Sequence, residues 1–66
     1  MSEKALQIAK EEIARVIRNN NQCLTDVEIS ELAGQVLQMI DWNSPALMHK
    51  GIAWIADFYM NRLVNA

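Results

Sequence analysis

Apolar residues recur at intervals of three and four through three successive stretches of this chain, and two short polar runs separate them. In the first stretch Leu6, Ala9, Ile13, Val16 and Ile17 make a stripe of the width a core-facing helix needs, while Lys4, Glu11, Arg15 and Arg18 occupy the other face. Glu11 and Arg15 stand four residues apart, a spacing that favours an ion pair along a helix. Ser2 supplies the start. The stretch ends in NNNQ, residues 19–22. Asparagine tolerates the left-handed backbone that closes a helix, so this run is predicted to be a loop.

The second stretch has a sharply specified beginning. In LTDVEI, residues 24–29, Thr25 is placed to accept from the backbone and Glu28 to return the favour, the reciprocal arrangement called a capping box. Leu24 and Ile29 flank it as a hydrophobic staple. From there Ile29, Leu32, Ala33, Val36, Leu37 and Ile40 share one face, opposite Glu31, Gln35 and Gln38. DWNSP, residues 41–45, then breaks the pattern; Pro45 restricts Ser44 to an extended backbone, which suits Ser44 as cap and Pro45 as first helical residue.

The third stretch reads as one helix over 45–63. At about 100° per residue, Leu47, Met48, Gly51, Ile52, Trp54, Ile55, Ala56, Phe58, Tyr59 and Leu63 spread over an arc of roughly 200°. His49, Lys50, Asp57 and Asn61 are left with a narrow polar strip. A single core asks for an apolar stripe of little more than about 100°. The excess has two readings: a central helix that touches both of its neighbours, or a helix with one side turned to another chain. Gly51 favours the second, because glycine within a helix often admits a close neighbour. The expected fold is therefore all-α, a compact three-helix arrangement over about 3–19, 26–41 and 45–63, forming one domain over residues 1–66.

Composition narrows the function. A 66-residue chain buries a small core and gains from reinforcement. Cys23 has no second cysteine to bond, and a single cysteine suits a reducing compartment; His49 is the only histidine, too few for a zinc set. Association with another chain is the remaining route. The net charge of −2 offers no general attraction for nucleic acid or an anionic membrane, and no apolar run is long enough to span one. Without a secretory leader pattern, the expected location is the cytoplasm.

Candidate chemistry is sparse. Cys23 and His49 lack an orienting third group and an oxyanion site, so no catalytic residues are assigned; Cys23, beside Leu24, reads as a small apolar filler. Asp26, Glu28 and Glu31 complement a helix dipole and have no glycine-bearing calcium loop around them, so no metal or cofactor is expected. What remains is a small non-enzymatic interaction module of the regulator, inhibitor or adaptor kind, whose third helix forms a homodimer or engages a different protein, with Leu47, Gly51, Trp54, Ile55, Phe58 and Tyr59 as its interface. The alternative is an accessory nucleic-acid-binding protein. ISELAGQV, residues 29–36, has the flavour of a helix-turn-helix first helix, and the contacts would then be Arg15, Arg18, Asn20, Asn21, His49 and Lys50.

Overall fold

The structure, a computed structural model, describes residues 2–21 and 23–64, with Val64 described by its backbone only. Four helices follow one another: α1 over Glu3–Asn20, α2 over Asp26–Met39, α3 over Pro45–Lys50 and α4 over Ile52–Val64. No strand is present among the described residues.

Three of the four starts are local hydrogen-bond devices. The Ser2 hydroxyl accepts the Ala5 N–H at 3.1 Å and opens α1. The capping box of α2 is complete: Thr25 Oγ1 accepts from the Glu28 N–H at 3.2 Å, and Glu28 Oε1 accepts from the Thr25 N–H at 2.9 Å. The Thr25 backbone N–H, and then its hydroxyl, hold the Glu28 carboxyl below the usual carboxylate range. Ser44 is extended, with φ −88 and ψ 110, and its hydroxyl accepts the Leu47 N–H at 3.3 Å ahead of Pro45.

Helix ends depart from expectation. α1 continues through Asn19 and Asn20, and Asn21 has φ −140, so no left-handed asparagine closes it. Instead the Asn21 side-chain amide donates to the Ile17 carbonyl at 3.0 Å, satisfying one of the acceptors a helix end leaves open. Gln22, the last residue of that polar run, lies outside the described residues. Glu11 accepts from the Gln7 amide at 3.4 Å and forms no ion pair with Arg15; the ion pair among the described residues joins Arg18 to Asp26 at 2.8 Å, tying α1 to the start of α2. α2 stops at Met39. Ile40 turns extended and stays buried, and Asp41 then folds the chain back, accepting from the Asn43 and Ser44 N–H groups.

The largest correction concerns the third segment, which is two helices. Gly51 adopts φ 88 and ψ 158, a conformation essentially confined to glycine. Its carbonyl accepts the Ile55 N–H at 3.1 Å, so the residue that ends α3 also begins α4. A side chain placed on Gly51 would meet nothing within 4 Å. Gly51 is thus required by the backbone, and no other part of the chain packs closely against it.

The core joins Ile13 and Ile17 of α1 to Ile29, Ala33 and Val36 of α2, then Ile40, and Ile55, Ala56, Tyr59 and Met60 of α4. α1, α2 and α4 pack against one another, whereas α3 approaches α4 alone. Leu24, Trp42 and Leu47 reach in from connections and from α3 to cover its margin. All its buried side chains are apolar apart from the Tyr59 hydroxyl, and no buried side-chain nitrogen or oxygen among the described residues lacks a partner.

Candidate interaction surface

On α4 the core side is set by Ile55, Ala56, Tyr59 and Met60, so the helix is rotated from the centre of the arc expected of it. Two of the expected interface residues are thereby reassigned: Ile55 is 1% exposed and Tyr59 9%, both held in the core against α1 and α2. Met60, absent from the expected arc, is buried with them. Trp54 lies on the other side, 43% exposed. Phe58 and Leu47 are half-buried, and Gly51 is exposed at the break.

The exposed ring is held in an ordered column. Trp54 and Phe58 stack with centroids 5.1 Å apart and planes 11° from parallel. Phe58 in turn meets buried Tyr59 edge to face at 5.2 Å and 85°. Lys50 Nζ sits 5.4 Å from the Trp54 ring centroid, and Arg62 Cζ sits 5.5 Å from that of Phe58. Lys50, Trp54, Phe58 and Arg62 are each four residues apart, the interval that aligns side chains along a helix. Aromatic pairs contribute about 0.5–1.5 kcal/mol beyond their area, and exposed cation–ring contacts about 0.5–1. The column is therefore anchored through Tyr59 to the core, and Trp54 is presented with little freedom left to lose on binding. That is the property that makes a rigid aromatic side chain an efficient anchor.

The residues of the nucleic-acid alternative do not converge. Arg15 and Arg18 are exposed on α1, but Arg18 is neutralised by Asp26. Asn20 and Asn21 border a groove of about 210 Å³ with Asp57, Met60 and Asn61, where the one charged group is acidic. His49 and Lys50 stand on α3, whose six residues approach only α4, and Lys50 is engaged with Trp54. The faces that Trp54 and Phe58 turn to each other are closed to a base.

Cys23 is exposed in the turn before α2 and is no core filler, because the turn carries it outside the helices while Leu24 points inward. Exposed His49 lies on α3, and neither residue lines the groove above or the cleft of about 180 Å³ between α1 and α2. No group of three or more histidine, cysteine or acidic side chains among the described residues is placed to hold a metal. No helix among them is long and apolar enough to cross a membrane.

Sequence reasoning missed Trp42, which it left in a connection and which covers the core edge. It also missed the column as a unit, although the four-residue spacing from Lys50 to Arg62 was there to be read. Comparison with known proteins finds no family model, no curated protein and no solved structure that matches the chain.

Proposed function

We propose that the chain is a non-enzymatic interaction module that binds another polypeptide through the outward side of α3 and α4, and that it does so as a homodimer. The observation that carries this reading is Trp54, a large ring 43% exposed yet stacked on Phe58 and braced by Lys50. An exposed Met48 and half-buried Leu47 extend the apolar surface onto α3. Aromatic anchors of this kind dominate the energetics of protein interfaces. Association would also add stability that a 66-residue core supplies sparingly.

The test is mass by light scattering, together with the thermal midpoint over a hundredfold range of protein concentration. The expected result is a dimer whose midpoint rises with concentration. Trp54→Glu should give a monomer with the same helical circular dichroism, because the ring lies outside the core. Phe58→Glu should lower both mass and midpoint, since Phe58 also touches Tyr59. A wild-type mass that stays monomeric at high concentration, with a constant midpoint, overturns the reading.

A further inference from the structure

The chain between Ile40 and Gly51 is anchored at its two ends. Ile40 is buried, and the Gly51 carbonyl accepts the Ile55 N–H that begins α4. Between these anchors no residue from Asp41 to Lys50 is buried. The hydrogen bonds of the segment close on itself: Asp41 Oδ1 accepts from the Asn43 N–H, the Asp41 carbonyl from Ser44, the Ser44 hydroxyl from Leu47 and the Ser44 carbonyl from Met48. Among the described residues none of them reaches α1, α2 or α4. What holds the segment down is apolar. Trp42 and Leu47, both half-buried, pack against the core, and Lys50 lies over the exposed Trp54 ring beside the Gly51 break.

We infer that residues 41–50 form a strap that opens and closes as one unit while α1, α2 and α4 stay packed. Its ends are not continued into either neighbouring helix: Ile40 is extended, with φ −68 and ψ 129, and Gly51 has φ 88 and ψ 158. α3 has six residues, well below the roughly 12–15 that an isolated helix needs to persist in water. Once Leu47 lifts from the core, the turns of α3 are therefore lost with it. Opening leaves the core of α1, α2 and α4 in place, because none of its buried residues lies in the strap. It vacates the core margin that Trp42 and Leu47 cover. The surface thus has two states, and the open one alone offers that apolar margin to another chain.

Amide hydrogen exchange on the whole chain tests the strap. The Ser44, Leu47 and Met48 amides should share one protection factor to within about threefold, and should exchange at least about tenfold faster than the Ala33, Val36 and Leu37 amides of α2. Low urea should speed the α2 amides and leave those of the strap nearly unchanged, because a local opening exposes little surface. Ile13→Val weakens a core that stays closed when the strap is open, so it should speed the α2 amides about fivefold and the strap amides not at all. Leu47→Ala should speed the Ser44 and Met48 amides together by about tenfold, although the bond from Ser44 to Asp41 is untouched by the substitution. Strap amides that exchange at the α2 rate, that answer to Ile13→Val as strongly as α2 does, or that have no protection overturn the inference. So does a Leu47→Ala effect that reaches Met48 and leaves Ser44 unmoved.

Discussion

Replacing Gly51 by alanine sets two local preferences against each other. With φ 88 and ψ 158, the residue occupies a region that costs an L side chain about 1–3 kcal/mol. The cost is torsional, because an added Cβ would meet nothing within 4 Å. The opposing term is helix propensity: alanine within a continuous helix is favoured over glycine by about 1 kcal/mol. Collecting that gain would mean straightening α3 into line with α4, and so withdrawing Leu47 from the core margin. The break should therefore survive and the fold should lose about 1–3 kcal/mol, most of what a core of this size provides. At roughly 1 kcal/mol per molar urea, the midpoint should fall by about 1–3 M. The chain is short enough for chemical synthesis, and D-alanine at position 51, whose steric map is the mirror image, should hold the midpoint or raise it. A Gly51→Ala midpoint above wild type, accompanied by increased helicity, would refute this reasoning and restore a single helix over the whole segment.

Thr25→Ala should cost about 1 kcal/mol in a urea titration, because the Glu28 N–H loses its acceptor, whereas exposed Ser30→Ala should move the midpoint by a few tenths at most. Glu28 has a folded-state pKa lowered chiefly by the Thr25 N–H, so its contribution is fully present above the unfolded carboxylate pKa and disappears as pH falls through the folded one. Thermal midpoints of wild type and Glu28→Gln should accordingly differ at neutral pH and converge in acid below the usual carboxylate range; a gap that widens in acid would contradict the cap. Ile13→Val removes a methylene from a fully buried site and should cost about 1 kcal/mol, while Ile8→Val, at a side chain 50% exposed, should be close to neutral by the same measurement.

What could be read without the fold is whatever is settled within a few residues. Ser2 with Ala5, Thr25 with Glu28 and Ser44 with Leu47 are contacts three residues apart, so residue type and spacing specify them. The buried faces of α1 and α2 were legible for a related reason: each helix has one apolar side, and only that side can enter the core. The third segment offered no such uniqueness. Trp54 and Ile55 are neighbours in an arc about twice the necessary width, and packing against α1 and α2 put Ile55 inside and Trp54 outside. Hydrophobic periodicity runs on through Gly51 because glycine neither supports nor violates it, so the division into α3 and α4 left no mark in the pattern. Asn21 and Trp42 have the same origin: asparagine can close a helix by backbone or by side chain, and a tryptophan in a connection can face either way. The sequence by itself determined an all-helical chain with well-capped starts, because those choices are local. Which side of α4 is core and which is left to meet another molecule was decided by the tertiary structure, because it depends on surfaces brought together from the far ends of the chain.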